Sequence, residues 1–114
     1  MAFEDLDVWK RASTLSADIY IEMQKIRDYG FRDQITRSGL SVPSNIAEGV
    51  DRSSAKETMN FLSYAKGSCA ELRTQILIGM KIGYISKDIG INWANETREI
   101  SAMLVGLSKT IKNQ

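Results

Sequence analysis

Leu62, Ala65, Cys69, Leu72, Ile76, Gly79 and Gly83 are spaced by alternating steps of three and four residues. That spacing keeps seven small or apolar side chains on one side of an α-helix, whereas a strand would turn successive side chains to opposite faces. A seam of this kind favours near-parallel packing against other helices. It predicts a long helix over residues 55–82. Ser54-Ala55-Lys56-Glu57 has the form of a capping box at its start, and Gly83 is placed to end it.

Three more helical patterns supply the partners. Val8, Ala12, Leu15, Ile19 and Ile26 form one stripe of a helix over 6–28, with Trp9, Ser16, Tyr20 and Met23 beside it. Asp5 or Asp7 is expected to cap it, and Gly30 to close it in a left-handed conformation. Ile35, Gly39, Val42, Ile46 and Val50 mark a helix over 32–48 that stops at Gly49. Pro43, the only proline, lies inside it and is expected to kink it. Trp93, Thr97, Ile100, Leu104, Leu107 and Ile111 mark a fourth helix that begins after Asn92. No Asn-Gly or Asp-Gly hairpin signal occurs. Short connections between four such helices make an all-α, antiparallel up-down-up-down bundle with a kinked second helix, one domain over 1–114, the expected fold.

The same residues narrow the chemistry. With 43% hydrophobic and 25% charged residues, the chain is globular in composition. It has no histidine, so the commonest general base and the commonest metal ligand are both missing. Cys69 is the lone cysteine and sits on an apolar seam, which marks it as a packing residue and fits a reducing cytoplasm. No phosphate-binding glycine loop is present. The expectation is no catalytic residue, no cofactor and no metal. Acidic and basic residues, at 14 and 15, nearly cancel to a net charge of +1. The charged residues among the first twenty argue against a signal peptide, and no apolar run reaches membrane-spanning length.

Two features exceed what a simple bundle needs. Arg37, Ser41, Asn45, Glu48 and Arg52 share one face of the second helix, and Tyr64, Ser68, Glu71 and Gln75 form a matching stripe on the third. Such stripes are either solvated or contacts between helices or subunits. Gly39 and Gly67, both costly inside helices, suggest close helix approach. Second, Met59, Phe61, Leu77, Ile78 and Ile82 widen the apolar surface of helix 3 beyond its seam, and helix 1 carries two adjoining apolar stripes. Extra apolar width points to burial against another chain.

Phe3-Glu4-Asp5-Leu6-Asp7-Val8-Trp9, Arg37, the block from Ser41 through Pro43-Ser44-Asn45-Ile46-Ala47-Glu48-Gly49, Arg52, Phe61-Leu62, Ala65-Lys66-Gly67-Ser68 and Glu71-Leu72 recur together in a known family. In these residues the chain resembles the four-helix-bundle proteins encoded in intervening sequences of bacterial 23S ribosomal RNA genes, over nearly its whole length. The resemblance implies the bundle fold, a homopentamer and no general enzymatic activity. It places polar family positions at Arg37, Asn45, Glu48, Arg52, Ser68 and Glu71. One branch, the accessory variability determinant of diversity-generating retroelements, is a barrel-like pentamer that associates with a reverse transcriptase and carries a basic surface. This chain departs from that branch in its near-neutral charge.

The functional expectation is therefore a non-enzymatic, cytoplasmic, homo-oligomeric scaffold that associates with RNA, DNA or a nucleic-acid-processing protein such as a reverse transcriptase. The alternative is a protein-only accessory module, and a remote third is an enzyme with a polar pocket between subunits. Lys10, Arg11, Lys25, Arg27, Lys66, Arg73 and Lys81 are the candidate nucleic-acid contacts. Their clustering on one surface would favour nucleic acid, and their dispersal among acids a protein partner. The six polar-stripe residues are expected to be mainly architectural, with an arginine or several donors beside Glu71.

Overall fold

The computed structural model describes residues 2–113. A short 3-10 turn, Phe3–Asp5, precedes four helices: α1 (Asp7–Met23), α2 (Tyr29–Val50), α3 (Ala55–Lys81) and α4 (Lys87–Lys112). No strand occurs among the described residues. The helices form a four-helix bundle measuring 45 × 20 × 20 Å. They touch in a ring, α1 on α2, α2 on α3, α3 on α4 and α4 on α1, with no diagonal approach of backbones. Ser38 meets Glu71, Ser41 meets Ser68 and Gly49 meets Thr58, so numbering rises on α2 as it falls on α3.

The helical periodicities describe the core well. Six of the seven seam positions of α3, from Leu62 to Gly79, are buried, and Gly83 lies just past the helix end. They pack with Ile19 and Met23 of α1, Ile35, Val42 and Ile46 of α2, and Trp93, Ile100 and Leu104 of α4. Ser54 caps α3 as read, its Oγ accepting from Glu57 N–H at 3.2 Å, but the Glu57 carboxylate accepts from Ser54 Oγ at 3.1 Å and not from the Ser54 N–H that a full capping box uses. Gly83 takes φ +80°, where a glycine avoids the clash that a Cβ would cause.

The helix ends differ from the sequence reading in four places. α1 stops at Met23 rather than near residue 28. Asp28 instead caps α2, its Oδ1 accepting from Phe31 N–H, so Gly30 falls in the first turn of α2 and closes nothing. At the start of α1 neither Asp5 nor Asp7 caps. Leu6 holds that position with no side-chain hydrogen bond, and the 3-10 turn fixes it through Leu6 N–H to Phe3 O. α2 runs uninterrupted through Pro43 and past Gly49 to Val50. Gly49 serves packing: a Cβ there would come 3.0 Å from Phe61 Cβ and 3.3 Å from Thr58 O. Finally, α4 begins at Lys87, capped by Ser86, and Asn92 is an exposed residue within it. Gly90, a weak helix former, is buried in α4 and leaves room for the Met80 side chain.

Candidate functional site

Three kinds of surface come into question: the polar stripes, the basic residues and the open apolar grooves. On the polar stripes, Ser41 Oγ and Ser68 Oγ share a hydrogen bond of 2.9 Å across α2 and α3. Ser38 Oγ donates to Glu71 Oε1 at 2.8 Å. Ser38 is buried and its role was not visible in the sequence, where it sits off the stripe. Neither an arginine nor several donors meet Glu71, contrary to expectation; the residue is exposed, so solvent supplements the one serine hydroxyl. Asn45 Nδ2 donates back along its own helix to Ser41 O at 2.9 Å and Ser41 Oγ at 3.0 Å. Glu48 and Arg52 pair with each other at 3.0 Å on the surface, and the Arg52 guanidinium lies over the Phe61 ring. Arg37 is exposed and faces the opposite flank, toward α1. The six residues thus do not converge on one point. A methyl group on Gly67 would find no neighbour within 4 Å, so close helix approach does not explain that glycine, whereas a methyl on Gly39 would make ordinary contact with Ser16.

The seven basic candidates are also dispersed. Arg11 faces α4, donating from Nε to Glu96 at 2.9 Å and lying 3.3 Å from Glu99. The hydrogen bond to Glu96 is the main reason that its pKa is raised further. Lys25 pairs with Glu22. Arg27 lies in the connection after α1 and Lys81 at the end of α3, while Lys10 lies near the start of α1 at the other end. Arg73 has its Nε buried without a hydrogen-bond partner, and Lys66 borders a groove described below. No single surface gathers them.

An open groove of about 830 Å³ runs along α1 and α2. Its lining includes Trp9, Ala17, Tyr20, Ile21, Leu40 and Pro43, with Asp33 and Arg37 as its charged members. Tyr20, Ile21 and Leu40 remain 60%, 70% and 59% exposed. The sequence showed surplus apolar width on α1, but the contribution of Leu40 was missed because it lies away from the α2 seam. A second groove, about 270 Å³, runs along α3 and α4 on the opposite flank, and Lys66, Lys109 and Lys112 border it.

Nothing in these surfaces assembles reactive groups. Among the described residues no group of three or more His, Cys, Asp or Glu side chains could hold a metal ion. Cys69 is fully buried, and burial pushes its thiol pKa up against a smaller downward pull from Ser101 and Arg73. Tyr84 donates to Asp28 Oδ2 at 3.0 Å, and this bond raises its phenol pKa. That contact ties the α3–α4 connection to the α1–α2 connection. No helix among the described residues is long and apolar enough to cross a membrane.

With this geometry in view, the family model described as 23S rRNA-intervening sequence protein matches residues 4–106. The chain belongs to that family. Among solved structures it is similar to a protein of unknown function from the S23 ribosomal protein family of Bacteroides thetaiotaomicron VPI-5482. The two share 23% identity and a TM-score of 0.84, over 90% of this chain and 98% of the other. That likeness supports the bundle fold alone. No curated protein matches the chain.

Proposed function

We propose that this member of the intervening-sequence family is a non-enzymatic scaffold that works as a homo-oligomer in the cytoplasm, with five subunits as the expected count. The observation that carries the reading is the α1/α2 groove. Tyr20, Ile21 and Leu40 stand exposed around one continuous concavity. Apolar patches of that kind are the usual mark of a protein contact. The subunit count comes from the family resemblance. The non-enzymatic part of the proposal rests on the lack of histidine and on polar residues that contact each other instead of converging.

The assembled scaffold is expected to meet a protein, including a protein that processes nucleic acid, more readily than bare RNA or DNA. Arg11 and Lys25 are paired with carboxylates, and the remaining basic candidates are spread over both ends of the bundle. Nucleic-acid affinity depends on a concentrated positive field. Light scattering on purified protein tests the assembly. The expected result is a mass several times 12.8 kDa, reduced to one subunit in Ile21→Glu/Leu40→Glu. A wild-type mass of one subunit at micromolar concentration would overturn the proposal. Pull-down with and without nuclease tests the partner class; a partner lost on nuclease treatment would favour direct nucleic-acid binding.

A further inference from the structure

The α3/α4 groove differs from the α1/α2 groove in charge. Met59, Leu62, Leu104 and Val105 form an apolar floor, and Lys66, Lys109 and Lys112 surround it with no acidic residue in the lining. None of these lysines has a carboxylate partner among the described residues. About three turns beyond Lys66, Leu77 continues the same stripe of α3, and Ile91 lies about four turns before Val105 on α4. Both are exposed. The outer side of α3 and α4 is therefore basic around the groove, and toward the other end Leu77 and Ile91 expose apolar surface with Lys81 and Lys87 one turn from them.

The outer side of α1 and α2 carries the complementary arrangement. Glu4, Asp5 and Asp7 are exposed in and beside the 3-10 turn, and none has a cationic partner among the described residues. Tyr20 and Ile21 expose apolar surface near the far end of α1. The ends correspond. Arg11 of α1 meets Glu96 and Glu99 of α4, so the start of α1 lies alongside the latter part of α4, toward Lys109 and Lys112. At the other end, the Tyr84–Asp28 bond joins the connections where α1 ends and α4 begins. In the ring of helices, the α1/α2 side lies opposite the α3/α4 side.

We propose that the α3/α4 groove receives the acidic N-terminal turn of a second copy of this chain, while Leu77 and Ile91 cover the second copy's Tyr20 and Ile21. This rests on the self-association proposed above and names the surface that meets the α1/α2 groove. Two copies set side by side, the same way up, place three carboxylates over three lysines and apolar surface over apolar surface. Because the two patches are different and lie on opposite flanks, the contact is head-to-tail and repeats from copy to copy, closing into a ring when the rotation allows. The groove lacks an aromatic residue on which a nucleobase could stack.

Charge reversal tests the pairing. The variants are Lys66→Glu/Lys109→Glu, Glu4→Lys/Asp5→Lys, and the chain with all four changes. All four residues are exposed, so circular dichroism should show the helical signal of wild type in each. Analytical ultracentrifugation should show each double variant dissociating at least tenfold more readily than wild type. The fourfold variant, in which attraction is restored with signs exchanged, should return to within threefold of wild type. Assembly of both double variants as wild type would overturn the pairing, as would a folded fourfold variant that stays dissociated. Weakening by the lysine reversal alone would also overturn it, because the occupant would not be the acidic turn. A monomeric wild type would instead remove the self-association itself, so the two failures are told apart.

Discussion

The α2/α3 and α1/α4 seams close the same bundle by different means. Across α2 and α3 the fit is one of shape. Gly49 lets the start of α3 come close, Thr58 Oγ1 donates to Gly49 O at 2.8 Å in a buried site, and Ser41 and Ser68 bond farther along. Across α1 and α4 the named polar contact is ionic and partly solvated, with Arg11 reaching Glu96 and Glu99 and also donating to Met103 Sδ at 3.6 Å. A seam closed by shape has few tolerated substitutions and little sensitivity to salt. A seam closed by exposed charge has the opposite character.

The largest effect that sharpens this contrast comes from the α2 core. Ile46 is fully buried, and Ile46→Ala should cost about 2–5 kcal/mol in urea unfolding. The next test sets two glycines against each other. Both Gly49→Ala and Gly67→Ala gain up to about 1 kcal/mol of helix propensity. At Gly49 the new methyl meets Phe61 and the Thr58 carbonyl, an overpacking cost of about 1–3 kcal/mol. At Gly67 it meets nothing within 4 Å. Gly67→Ala should therefore raise the unfolding midpoint and Gly49→Ala lower it; equal shifts would break the account of the α2/α3 seam.

Arg11→Ala should be milder. Its side chain is 37% exposed, so solvent screens the pair and the loss should stay below about 1 kcal/mol. The gap from wild type should narrow in about 0.5 M salt, and a gap independent of salt would show that Arg11 acts by packing instead. The smallest effect concerns pH. The buried Cys69 thiol holds its proton to higher pH than the unfolded chain does. Its contribution is intact below the ordinary thiol pKa and is lost as pH rises above it, because the unfolded state ionises first. Stability should therefore fall more steeply above about pH 8.5 in wild type than in Cys69→Ala. The raised Tyr84 pKa acts with the same sign in both chains and cancels in the comparison.

The division between the seams also explains what was legible in the sequence. Apolar periodicity alone located the four helices and most buried residues, because burial repeats with the turn of the helix. Helix ends were less legible wherever two signals competed. Asp28 as a cap outweighed Gly30 as a stop, and tertiary packing of Gly90 on Met80 outweighed its weak helix propensity. On the surfaces, spacing placed Ser41 and Ser68 on facing stripes, and they do meet. Glu48 and Arg52, four residues apart on one helix, form the ion pair that this spacing favours. Spacing could not indicate that Leu40 would join α1 residues around a groove. That outcome depends on how α1 and α2 are rotated against each other, which a single helical stripe does not encode.

The Arg11–Glu96 contact joins residues 85 apart in the chain, whereas the α2/α3 hydrogen bonds span 9 to 33. Successive helices can pair as soon as each hairpin forms, but α1 can meet α4 only when the whole chain has been gathered. Closing that long loop carries the largest entropic cost. Docking of α1 on α4 is therefore expected late in folding and first to open in the native state. Amide exchange should be fastest, among buried helical positions, along this seam. An opening there would expose the inner side of α1 while the three later helices remain paired, giving the bundle a hinge in time as well as in space.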